Sequence, residues 1–136
     1  VKSSLQQSGI LDTCVLIDLE KIEPSSLPDE AIITAISLAE LAAGPHAVQD
    51  SSERALRQDR LQAVETMFDA LPFDAAAARA YGRVYALEVA GGRKPRGART
   101  VDLLIASIAI AENLPLYTRN PADFANLASI LDIVAV

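Results

Sequence analysis

Short apolar runs recur along this chain, GIL before Asp12, AIITAI before Ser37, LPLYT before Arg119 and DIVAV at residues 132–136, and stretches with helical spacing separate them. Strands that alternate with helices pair in parallel, because each connection must cross back over the sheet before the next strand is laid down. The pattern predicts an α/β fold with a mostly parallel sheet. Pro24, Pro28, Gly44-Pro45, Pro72, Gly91-Gly92, Pro95 and Pro121 punctuate the elements, and no internal repeat divides the chain. With 136 residues and 51% hydrophobic content, one continuous core and a single domain over 1–136 are expected.

The helical stretches carry their own end signals. From Ser52 to Leu71, Leu56, Val64, Met67, Phe68 and Leu71 share one face, as an amphipathic helix requires. From Asp74 to Ala90 the spacing repeats through Ala77, Tyr81, Val84 and Leu87, with Asp74 as N-cap and Gly91 as stop. The pair Tyr81 and Tyr85 reads as packing. VDLLIASIAIA is apolar almost all round and predicts a buried helix on the sheet, with Asp102 its one charge before Glu112.

Four segments share a plan. LDTCVLIDLE, TAISLAEL, ARTVDLLIAS and YTRNPADFANL each place an acid, or an amide and an acid, at the start of an expected helix, and three of the four follow an expected strand. Loops leaving the carboxyl ends of parallel strands converge on one crevice, so these groups can meet in space. Helix capping accounts for each position separately. Asp12 suits a cap before Thr13, Ser37 and Glu40 match a capping box, Thr100 suits a cap with Asp102 in the first turn, and Asn120-Pro121 reads as N-cap and first helical residue. Capping explains Asp102 least well, because a carboxylate leading an apolar helix is desolvated without a partner. A bound cation is the alternative, and carboxylate and amide oxygens are hard donors suited to magnesium or manganese.

Other chemistries fail on their own motifs. Cys14 and His46 are each single, which excludes an intrachain disulfide and argues against a zinc cage, and against a Ser-His-Asp triad unless His46 fills that role; His46 after Gly44-Pro45 reads as a surface turn residue. Neither a G-x-x-x-x-G-K-[ST] nor a G-x-G-x-x-G phosphate loop occurs. Asp12 lacks the second acid two residues on that aspartyl-phosphate enzymes carry, since Cys14 stands there. The 12 Lys+Arg against 18 Asp+Glu give a net charge of -6, which argues against coating nucleic acid by bulk electrostatics. Any such contact must be local. The concentrated basic segment GGRKPRGART carries Arg93, Lys94, Arg96 and Arg99 just before Asp102, a solvated loop or a loop that positions phosphates. The opening residues carry Lys2 but no long apolar stretch, and no window approaches the roughly 20 apolar residues of a membrane span. A soluble cytoplasmic protein is expected.

Taken in order, LDTCVLI, ISLAELAAG, RTVDLLIASIA and YTRNPADFANL followed by a final strand resemble the PIN-domain family, and within it the VapC-type toxins of bacterial toxin-antitoxin pairs. The resemblance implies a three-layer α/β/α sandwich around a mostly parallel sheet, with Asp12, Glu40 and Asp102 as metal ligands. Many relatives carry an acid directly after Thr-Arg, where this chain has Asn120, with Asp123 three residues on; both compete for the fourth place. Thr13, Ser37 and Thr118 match small polar positions beside the acids. By the same resemblance the chain is a magnesium-dependent endoribonuclease, with manganese as a substitute, acting on transfer or ribosomal RNA. Its cognate VapB-type antitoxin would restrain it through the region from Leu38 to Leu71, in a homodimer or a heterotetramer with antitoxin. The alternatives are a non-catalytic PIN-like interaction module and a PIN nuclease outside toxin-antitoxin systems.

Overall fold

In the computed structural model, which describes residues 7–136, the short apolar runs become β1 (Ser8–Leu11), β2 (Glu30–Thr34), β4 (Leu116–Thr118) and β5 (Ile133–Ala135). A further two-residue strand, β3 (Ala70–Leu71), joins them in one sheet of order β3-β2-β1-β4-β5, with every pairing parallel. Lys2, part of the sequence reading of the chain start, lies outside the described residues. Period-two alternation splits the side chains between two cores. Ile10, Leu116, Ile32 and Ile133 face α4 (Ala75–Ala90) and α5 (Ala98–Ala111), whereas Leu11, Ile33, Tyr117 and Val134 face Val15, Leu16, Leu41 and Val64 from α1 (Thr13–Ile17), α2 (Ala35–Ala43) and α3 (Ser51–Met67). Helices therefore cover both faces, as the three-layer reading expected. No helix among the described residues is long and apolar enough to cross a membrane.

The strand order reverses at β1. The chain steps outward from β1 to β2 and β3, then returns to the other flank of β1 with β4 and β5. In open parallel sheets the crevice at the carboxyl ends of the two strands flanking such a reversal is where ligands bind. Here those strands are β1 and β4, and their register pairs Leu11 with Tyr117.

Helix ends differ from the sequence reading in informative ways. The Ser37 and Glu40 capping box does not form: Thr34 closes β2, caps α2 and accepts the Ser37 amide on its hydroxyl at 3.1 Å. AIITAI is therefore strand only as far as Thr34. Nor does Thr100 cap α5, which starts at Ala98 after Gly97, whose φ of 59° suits glycine. Asp102 is thereby moved into the second turn of α5, beyond any cap. The 52–71 stretch leaves the helix at Phe68, whose φ of -130° and ψ of 146° are extended, so Leu71 belongs to β3 instead. Of the expected apolar face only Val64 is buried in α3, while Leu56 and Met67 remain 60% and 62% exposed. Asp74 does cap α4, accepting the Ala77 amide at 3.0 Å, and Gly91 closes it.

Candidate active site

Asp12 follows the last residue of β1 and caps α1, accepting the Thr13 amide on Oδ1 at 2.9 Å. Thr118 ends β4 on the other side of the reversal, and its hydroxyl donates to Asp12 Oδ2 at 2.8 Å. The Asn120 amide in turn donates to Thr118 Oγ1 at 3.1 Å. This relay, from the loop after β4 through a buried hydroxyl to a buried carboxylate, fixes Asp12 from both flanks of the switch point.

A second relay holds Glu40. The Thr13 hydroxyl donates to Glu40 Oε1 at 2.6 Å. With its one proton so committed, it accepts from the Ser37 hydroxyl 2.8 Å away. Thr13, Ser37 and Thr118, singled out in the sequence as small polar neighbours of the acids, thus all lie on these two chains of hydrogen bonds. Cys14, which carries no sequence signal for the cluster, joins it in the fold, with its Sγ 3.4 Å from Asp12 Oδ2. Burial pushes the thiol above its ordinary value, against the pull of the Arg119 amide hydrogen bond, and the Asp12 charge adds to the rise. At neutral pH it is a protonated donor to the cluster.

Asp102 completes the arrangement from α5. Burial, followed by the charges of Asp12 and Glu40, pushes its carboxyl from 3.8 up to about 6; Arg99 pulls it back, and Asp123 adds a further push. All four acids therefore share one field. Asp123 enters from the first turn of a 3-10 segment, Pro121–Leu127, in which Pro121 follows Asn120. Asn120 occupies the N-cap position there, but its exposed side chain makes no capping hydrogen bond. Its contribution is its backbone amide, whereas that of Asp123 is charge.

Among the described residues no three His, Cys, Asp or Glu side chains converge tightly enough to hold an ion as they stand. The raised Asp102 carboxyl reflects its burial first and the charges of Asp12 and Glu40 after it. An all-oxygen acidic donor set of this kind fits Mg²⁺ or Mn²⁺.

The basic loop divides. Arg93, Lys94 and Arg96 are exposed and make no ion pair among the described residues, so they stay available to phosphate. Arg99 does not: its guanidinium is turned inward onto Glu88, with Nη2 2.7 Å from Oε2. His46 is exposed in a short turn after α2 and makes no side-chain hydrogen bond or ion pair among the described residues. Beside Thr13 and Glu40, a cleft of about 300 Å³ opens between α1, α2 and α3, with Arg57 and Arg60 in its wall. It adjoins a larger groove of about 620 Å³ lined by Leu16, Ile17, Leu19, Leu56, Val64 and Met67.

Fold and site together define a class: open parallel α/β domains that gather carboxylates at the reversal of strand order. The chain belongs to the PIN-domain family, which it matches over residues 10–130. It is 34% identical to ribonuclease VapC5 of Mycobacterium tuberculosis, over 98% of this chain and 99% of that protein. It is also 32% identical to ribonuclease VapC of Rickettsia bellii, over 89% and 91%. Among solved structures it is similar to VapBC-5 from Mycobacterium tuberculosis, a member of the VapBC family of toxin-antitoxin systems, with a TM-score of 0.82 and 35% identity covering 95% of this chain and 98% of that one.

Proposed function

We propose that this chain is a metal-dependent endoribonuclease, the toxin of a VapBC-type pair, that hydrolyses phosphodiester bonds in transfer or ribosomal RNA. One observation carries the reading. Asp102 sits half-buried past the cap position of an apolar helix, where desolvation and the field of Asp12, Glu40 and Asp123 both disfavour its charge, a cost that a bound divalent cation would offset. The full-length similarity to VapC ribonucleases supports the substrate class.

Asp12, Glu40, Asp102 and Asp123 would hold Mg²⁺ or Mn²⁺. The chemistry such an ion supplies is acidification of a water molecule and relief of charge on the scissile phosphate. The chain's own residues set the stage. Thr118 and the Thr13 amide fix both oxygens of Asp12, Thr13 and Ser37 orient Glu40, and Arg93, Lys94 and Arg96 offer charge to flanking phosphates without reading bases.

The partner in this reading is a VapB-type antitoxin, in a homodimer or heterotetramer. Ile17, Leu56 and Met67 are exposed along the groove beside α3, an apolar strip of the kind an amphipathic helix covers. A basic tail continuing into the adjoining cleft would reach the acids and neutralise them. Titrating Mg²⁺ and Mn²⁺ into RNA cleavage by the purified chain, with Asp12→Asn as control, tests the assignment. Cleavage that needs no divalent ion, or that survives in Asp12→Asn, refutes it.

A further inference from the structure

One cation of the basic loop is withdrawn from solvent. Glu88 is fully buried and the Arg99 side chain is 14% exposed. Arg99 gives both Nε, at 3.1 Å, and Nη2, at 2.7 Å, to the same oxygen, Glu88 Oε2. Glu88 Oε1 and Arg99 Nη1 are left buried with no hydrogen-bond partner among the described residues. Desolvating an ion pair costs about what its attraction returns, and orphaned polar atoms add to the cost, so stability alone does not account for it.

Its location does. Glu88 lies in the last turn of α4 and Arg99 in the first turn of α5, so the pair closes the loop between them. The guanidinium lies 5.9 Å from the ring centre of Phe124, the residue after Asp123. Arg99 also precedes Asp102 by three residues, and its charge is felt there. Residues so spaced are neighbours on a helix surface. A guanidinium released from Glu88 would pair with Asp102, and Arg-carboxylate pairs are strong enough to compete with a cation for its ligand.

We infer that Glu88 is a positioning residue for the acid site, acting through Arg99: it holds the guanidinium against Phe124 and off Asp102 and Asp123, leaving those carboxylates free for a divalent cation. The inference rests on the metal-dependent reading of the acids. Mn²⁺ binding to the full chain, followed by electron paramagnetic resonance without RNA, tests it. Glu88→Gln is expected to weaken Mn²⁺ binding by about tenfold, the scale of loss when a group supporting a metal ligand is removed. Glu88→Gln/Arg99→Gln, which removes both charges, is expected to return to wild-type affinity. A folded Glu88→Gln that binds as wild type, or a double variant as weak as the single, overturns the inference while leaving the metal reading intact. Absence of Mn²⁺ binding by the wild-type chain overturns both. Should Glu88→Gln not fold, Glu88→Asp decides: drawing the carboxylate back by one methylene is expected to weaken Mn²⁺ binding partway, and unchanged affinity overturns the proposal.

Discussion

Replacing Asp102 by Asn should make the metal-free chain more stable, not less. The Asp102 carboxyl titrates near 6 in the fold, against 3.8 ordinarily, so the folded chain binds more protons than the unfolded chain in that window. Stability is therefore highest while Asp102 is protonated, falls as pH rises from 3.8 to about 6, and stays lower above. The full difference corresponds to about 3 kcal/mol, and because the carboxyl is only half-buried, screening reduces it to about 1–2 kcal/mol. Asn is neutral at every pH and escapes the penalty. Urea denaturation in EDTA should show Asp102→Asn ahead by that amount at neutral pH, with the gap shrinking to about half its size near pH 4.5. Saturating Mg²⁺ should reverse the order, because a ligand at 100 times its Kd stabilises the wild type by about 2.7 kcal/mol and the variant by less. Equal stability of the two chains at neutral pH in EDTA would refute the account of Asp102 as a crowded, desolvated acid.

Asp12→Asn should behave differently: it abolishes cleavage but lowers stability by about 1 kcal/mol in denaturation, because an amide cannot accept both the Thr13 amide and the Thr118 hydroxyl. Asp123→Asn should weaken Mn²⁺ binding in calorimetry, whereas Asn120→Ala should leave it near wild type, since Asn120 acts through its backbone amide. Gly9→Ala places a Cβ against the Tyr117 ring and should cost about 1–3 kcal/mol by overpacking, read as a lowered urea midpoint. Leu56→Glu, at an exposed position of α3 outside the acid cluster, should spare RNA cleavage and abolish its inhibition by a co-expressed antitoxin; retained inhibition would remove α3 from that interface.

The sheet was legible because its strands are short, apolar and bounded by turns, and the acids because each stands where such a strand gives way to a helix. Boundaries were less so. Ser37 looked like a cap because its spacing to Glu40 is right, but Thr34 competes for the same amide and closes the strand at once. The buried face of α3 is narrower than its period suggests: Leu56 and Met67 fit the helical spacing, yet the period cannot say that no neighbouring element lies over them. In the sequence Arg99 is indistinguishable from Arg93, Lys94 and Arg96, as part of a solvated or phosphate-positioning loop, because its partner Glu88 is 11 residues away on another helix. Long-range pairing of that kind leaves no local signature. Cys14 escaped notice for a related reason, since only folding brings Thr118 and the Arg119 amide to its sulfur.

The reversal of strand order at β1 also governs when the site can exist. Asp12, Glu40 and Asp102 all precede β4 in the chain, whereas the hydroxyl that holds Asp12 and the charge of Asp123 belong to β4 and the segment behind it. β1 has no neighbour on that flank until β4 docks, so an incomplete chain leaves Asp12 without its buried donor. A chain cut short of β4 would therefore carry three of the four acids without the hydroxyl that holds Asp12: the step that completes the sheet also completes the cluster.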